Sequence, residues 1–94
     1  MPQAEANVVL TNKMGLHARP STQIATTASR FASEVQIVKD DMVDDAKSVL
    51  ELLMLAAECG THLVIKADGE DAEDAVKAVA ELIVGRFGEL DVDA

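Results

Sequence analysis

Two side chains with phosphate chemistry stand two residues apart in the hexapeptide Gly15-Leu16-His17-Ala18-Arg19-Pro20. Imidazole, with a reference pKa of about 6.5, is a nucleophile that can be charged and discharged at neutral pH. A guanidinium offers a planar fork of donors that matches a phosphate. Pro20 places the pair at a helix start, because its fixed φ suits the first turn and its missing N–H costs nothing there. Such a start presents unpaired backbone N–H groups and the positive end of the helix dipole. The pattern therefore predicts a phosphoryl group carried on His17 and held by backbone amides such as that of Ala18. Arg19 offsets the charge that develops in transfer. Gly15 allows a backbone conformation or a close approach that a Cβ would block. Met14 and Leu16 offer an apolar docking rim around the histidine, unless either is taken into the core.

The elements that must position this hexapeptide can be read from periodicity. Asn7 to Leu10 is a short run suited to a strand, and Ile24, Ala25, Ala28 and Phe31 recur at helical spacing, predicting a helix over 20–29. Val35 and Ile37 alternate as a second strand, and Lys39-Asp40-Asp41 reads as a turn into a third strand over 42–44. Ser48, with Glu51 three residues on and Leu52, Leu53 and Leu55 behind it, has the capping-box pattern of a helix start; that helix is predicted over 49–57. Leu63, Ile65 and Ala67 mark a fourth strand stopped by Asp68-Gly69. Ala75, Val76, Val79, Ala80, Ile83 and Phe87 form the stripe of a last helix, with Asp71 and Glu73 placed against its dipole. The order β-α-β-β-α-β-α has too few helices to cover two faces. It predicts an α+β open-faced β-sandwich, a four-stranded antiparallel sheet with three helices on one face.

A chain of 94 residues, 49% hydrophobic, is expected to form a single domain over 1–94, with an ordered core of about 7–88 and an acidic C-terminal tail. Eight Lys and Arg against seventeen Asp and Glu give a net charge of −9, which repels nucleic acid and anionic membranes. The acids gather at 40–45, at 68–74 and in the tail, away from Lys13, His17, Arg19 and Lys47. An anion site can thus exist on an acidic molecule. The apolar stretches fall far short of the roughly 20 residues of a membrane span, and the first five residues lack the basic-then-apolar pattern of a signal sequence. A cytoplasmic monomer is expected, without membrane insertion.

The remaining reactive residues have plainer readings. Cys59 stands alone, so it makes no intramolecular disulfide or thiolate cage, and reads as a partly buried thiol at a helix end. His62 reads as an exposed strand histidine. No phosphate-binding glycine loop or dinucleotide fingerprint is present, so no cofactor or metal is expected and a self-sufficient kinase is disfavoured.

The chain from about 8 to 87 resembles HPr, the histidine-containing phosphocarrier of the bacterial phosphoenolpyruvate-dependent phosphotransferase system. The resemblance rests on Asn12-Lys13-Met14-Gly15-Leu16-His17-Ala18-Arg19-Pro20, on Lys47-Ser48-Val49-Leu50, and on the closing strand and helix after Thr61. The stretch from Ser48 to Leu55 is similar to NPr, the nitrogen-related branch. The resemblance implies that His17 accepts a phosphoryl group from phospho-enzyme I and passes it to an EIIA-type acceptor, as a stoichiometric carrier rather than an enzyme. An NPr-like regulatory protein, signalling nutrient status through its phosphorylation state, is the alternative. Transient docking falls to Met14, Leu16, Val49, Leu50, Leu53 and Met54. Ser48 matches the position at which some HPr proteins are phosphorylated by HPr kinase/phosphorylase. Glu51, which stands where the regulated Gram-positive members typically have glycine, favours a capping role for Ser48 over a regulatory one.

Overall fold

A computed structural model describes residues 2–88. The acidic tail expected beyond Gly88 lies outside the described residues. The elements run β1 (Gln3–Val9), α1 (Ala18–Ala28), β2 (Glu34–Lys39), β3 (Met42–Asp45), α2 (Val49–Leu55), β4 (His62–Asp68) and α3 (Ala72–Val84), with a closing 3₁₀ turn at Arg86–Gly88. The strands form one antiparallel sheet in the order β1-β4-β2-β3, so the first and last strands of the chain are neighbours. This is the open-faced α+β arrangement that the order of elements predicts.

Alternation decides which side of the sheet is covered. Val35, Ile37, Leu63, Ile65 and Ala67 point to the helices and are buried, while Glu34, Lys66 and Asp68 are exposed on the other side. Ile24, Ala25 and Ala28 of α1, Leu52 and Leu55 of α2, and Ala75, Val76, Val79 and Ile83 of α3 close the core from above. This is the result that a 3.6-residue stripe laid on a two-residue alternation produces.

Several boundaries depart from the sequence reading, each for a physical reason. The first strand begins at Gln3 instead of Asn7. Gln3 to Val9 pair residue for residue with Asp68 to His62, and Ala4 and Ala6 pack on the core although their side chains are too small to announce a strand. Helix α2 ends at Leu55, two residues short of the expected end, because Ala56 takes a left-handed conformation (φ 53°, ψ 38°). The ammonium of Lys39 donates to the Leu55 carbonyl at 3.1 Å, close to the negative end of that helix. The last helix stops at Val84; Arg86 and Phe87 both have positive φ, and Phe87 reaches the core from that reversal rather than from the helix stripe.

Asp71 caps no helix N–H with its side chain. Its carboxylate crosses instead to the α1–β2 connection, accepting from the Ala32 and Ser33 amides, each at 2.9 Å, and from the Ser33 hydroxyl. Gly69 is pressed against the same serine: a Cβ there would lie 2.4 Å from Ser33 Oγ. The dipole of α3 is served by Glu73 and Asp74 in its first turn.

Candidate functional site

The loop between β1 and α1 carries the candidate nucleophile. Asn12 to Gly15 is a turn closed by a Gly15 N–H bond to the Asn12 carbonyl at 3.2 Å, and Gly15 has φ +65°, a conformation that a residue without Cβ adopts at little cost. The loop is tied to the α2–β4 connection by the Leu16 N–H, which donates to the Ala57 carbonyl at 3.0 Å. It can be so because α2 has already ended and its next residues no longer turn helically. His17 then takes an extended conformation (φ −84°, ψ −170°) as the residue before α1, and its carbonyl accepts from the Ser21 N–H at 3.0 Å.

His17 stands half-buried at the N-terminus of an eleven-residue helix, and its ring makes no capping bond to that helix. The first-turn amides of Ala18 and Arg19 have no carbonyl one turn earlier to accept from them. No acidic residue lies in this turn, on a chain whose net charge is −9. Ala18 and Arg19, the first two helical residues, are exposed, and Pro20 is the third, buried. A half-buried imidazole, a dipole end, two first-turn amides and an exposed arginine therefore share the start of α1. This arrangement can stabilise a dianionic group on the imidazole.

The expected docking residues divide. Met14, Leu50 and Met54 are 69%, 67% and 68% exposed, and Leu53 is 39% exposed. Their two segments are those joined by the Leu16–Ala57 hydrogen bond. Val49 is half-buried and packs on the core. Leu16 is a correction: only 4% exposed, it belongs to the core and is no part of a rim, because its N–H is drawn in to Ala57 and its side chain follows.

Ser48 receives the Glu51 amide on its hydroxyl at 3.2 Å, as an N-cap should. The reciprocal half of the capping box is absent. Glu51 Oε1 accepts instead from the Asp45 amide at 2.8 Å, while the Ser48 amide donates to the Asp45 carbonyl. Burial, and secondarily the charge of Glu51, hold the Asp44 carboxyl above its usual range. Lys47, which the charge pattern left available near the site, donates to the Phe31 carbonyl at 2.9 Å. Cys59 is exposed, not partly buried, since the chain beyond α2 leaves the core at that point; His62 is exposed at the head of β4. Among the described residues, no three His, Cys, Asp or Glu are grouped to hold a metal ion, and no helix is long and apolar enough to cross a membrane.

One buried polar residue that holds the loop carries no signal of chemistry in the sequence. Asn12 is fully buried and donates from Nδ2 to the Gly15 carbonyl at 2.8 Å. An asparagine three residues before a glycine reads only as a turn.

The family model of the PTS HPr component phosphorylation site matches residues 4–84. The chain belongs to the HPr family. The phosphocarrier HPr of Neisseria meningitidis is 45% identical over 83 residues, 88% of this chain and 93% of that protein. The phosphocarrier NPr of Shewanella violacea is 39% identical over 89 residues, 95% of this chain and 98% of its own. In structure, HPr-C-His from Thermoanaerobacter tengcongensis superposes with a TM-score of 0.89 at 38% identity, covering 93% of this chain and 98% of the other. The helix-on-sheet layout and the order of elements are those of the HPr fold. A member of this family is a phosphocarrier of the phosphotransferase system, not a catalyst that turns over by itself.

Proposed function

We propose that His17 is the phosphoryl acceptor and that this chain relays the group from phospho-enzyme I to an EIIA-type protein. A neutral ring nitrogen of His17 attacks the phosphorus held on enzyme I; the new N–P bond forms as the donor's bond to phosphorus breaks, and the same exchange in the other direction discharges the carrier. Ala18 and Arg19 hold the phosphate, and Met14, Leu50, Leu53 and Met54 supply the apolar contact of a transient complex. The observation that carries the reading is the position of His17: before an eleven-residue helix, half-buried, making no capping bond, with Arg19 two residues on and no acid in the first turn. The protein then works in the cytoplasm as one domain and as a monomer. A related HPr from Thermoanaerobacter tengcongensis has been crystallised as a dimer, so sedimentation of this protein at working concentration tests the last point.

Incubation with phosphoenolpyruvate and enzyme I should label the protein once, with the acid-labile and base-stable behaviour of a phosphoramidate. Undiminished labelling of His17→Ala would overturn the assignment.

The NPr-like stretch from Ser48 to Leu55 and the near full-length match to the NPr of Shewanella violacea support a second reading, in which the phosphorylation state of His17 reports nutrient status to a target without moving sugar. Presenting the phosphorylated protein with EIIA proteins of the sugar and nitrogen branches separates the two by which acceptor takes the label.

A further inference from the structure

We propose that Asn12 is a positioning residue for His17, acting through the Gly15 carbonyl; the proposal rests on the reading of His17 as the phosphoryl acceptor. The Gly15 carbonyl accepts two hydrogen bonds, from Asn12 Nδ2 at 2.8 Å and from the His17 amide at 3.0 Å. Asn12 also accepts the Gly15 N–H on its own carbonyl, so it holds both polar groups of that one peptide residue. Gly15 is in turn pinned between this asparagine and the Ala57 carbonyl. The asparagine side chain thereby fixes the carbonyl that fixes the backbone of His17, and with it the exit direction of the ring.

Burial decides that this is an anchor and not a surface turn. Asn12 has no exposed surface, so its Nδ2–H, withdrawn from water, is held on the Gly15 carbonyl by the loss that unmaking that one hydrogen bond would bring. The His17 backbone is extended and lies outside the helical ladder, so the Gly15 carbonyl is the acceptor that holds its N–H. Asn12 lies outside the exposed Met14, Leu50 and Met54 surface, so it does not touch a docked partner. Its effect should appear in the transfer step within a complex, and not in how well the complex forms.

The test measures phosphoryl transfer from phosphoenolpyruvate through enzyme I as the carrier concentration is varied, for wild type, Asn12→Ala and Asn12→Asp, at a temperature well below each variant's unfolding. Asn12→Asp keeps the shape of the side chain and removes the donor. A displaced nucleophile loses about tenfold to a hundredfold in rate. Both variants are expected to show that drop in kcat with KM for the carrier within about twofold of wild type. A kcat equal to wild type in the folded variants, or a change confined to KM, would overturn the proposal. If neither variant folds, the wild-type protein decides: the Asn12 side-chain amide protons should exchange with solvent far more slowly than those of exposed Gln3, before and after His17 is phosphorylated. Rapid exchange in either state would refute the anchor. Absence of label on wild type, or full label on His17→Ala, would instead overturn the phosphocarrier reading and leave a measurably buried Asn12 in place.

Discussion

A Cβ built on Gly15 would lie 2.4 Å from the carbonyl oxygen of Ala57. The His17 loop and the segment after α2 thus touch backbone to backbone, with the Leu16–Ala57 hydrogen bond one residue further on. Gly15→Ala combines that collision with a residue that disfavours φ +65°, a conformational penalty of roughly 1–2 kcal/mol by itself. The variant should unfold at lower temperature, and charging of His17 should slow even where it remains folded. Thermal denaturation and the initial labelling rate check the two effects separately.

Arg19 is exposed and lies in the first turn of α1; on the proposed reading its principal contact is the phosphate on His17. Arg19→Ala should change stability by no more than about 0.5 kcal/mol while slowing transfer to and from His17. Rates equal to wild type would remove Arg19 from the site.

At Ser48 the cap is formed by the hydroxyl and the Glu51 amide, while the Glu51 carboxylate is occupied by the Asp45 amide. Ser48→Ala should cost about 0.5–2 kcal/mol, and Ser48→Asp, which can still accept from that amide, should cost much less. A phosphate on this serine would meet the negative charge of Glu51 in the same turn, against the benefit of the dipole. Chemical denaturation of the two variants, together with incubation with ATP and an HPr kinase, distinguishes a cap from a switch: ready phosphorylation that blocks charging of His17 would establish the switch.

Asp71 and Asp44 should give opposite pH dependences. The Ser33 hydroxyl, and after it the Ala32 amide, hold the Asp71 carboxyl below its usual value. A depressed folded-state pKa contributes stability that is present above the unfolded-state value and is lost as pH falls through the folded one. Asp71→Asn should therefore flatten the acid limb of the stability curve. Asp44 is raised, chiefly by burial, so its ionisation opposes folding as pH rises past the unfolded-state value; its Oδ2 is buried without a hydrogen-bond partner. Asp44→Asn should make the protein more stable at neutral pH than at pH 3 relative to wild type. Denaturation midpoints between pH 3 and 7 for both variants give the two signs.

The features legible in the sequence are those set by local chemistry. His17, Arg19 and Pro20 announce a helix start in six residues, and the stripes of α1 and α3 and the alternation of β4 follow from side chains large enough to mark a face. What was not legible depends on partners far along the chain. Ala4 and Ala6 become strand residues because β4 pairs with them. Leu16 looks like a rim residue until Ala57 draws its backbone inward. Asp71 looks like a dipole partner until Ser33 arrives 38 residues away. Asn12, read as the edge of a motif, holds Gly15 only once the turn has closed and the core has covered it.

The neighbouring of β1 and β4 also governs when the molecule becomes competent. Gln3 pairs with Asp68, 65 residues on, and the Ala57 carbonyl that receives the His17 loop lies just before that last strand. The loop that carries His17 is therefore fixed only once the segment after α2 has folded against it. Closing so long a loop is an entropic burden that slows folding of such topologies. A chain in which Ala57 and β4 have yet to dock lacks the fixed loop, so on the proposed reading its imidazole is an acceptor of ordinary peptide reactivity until they do.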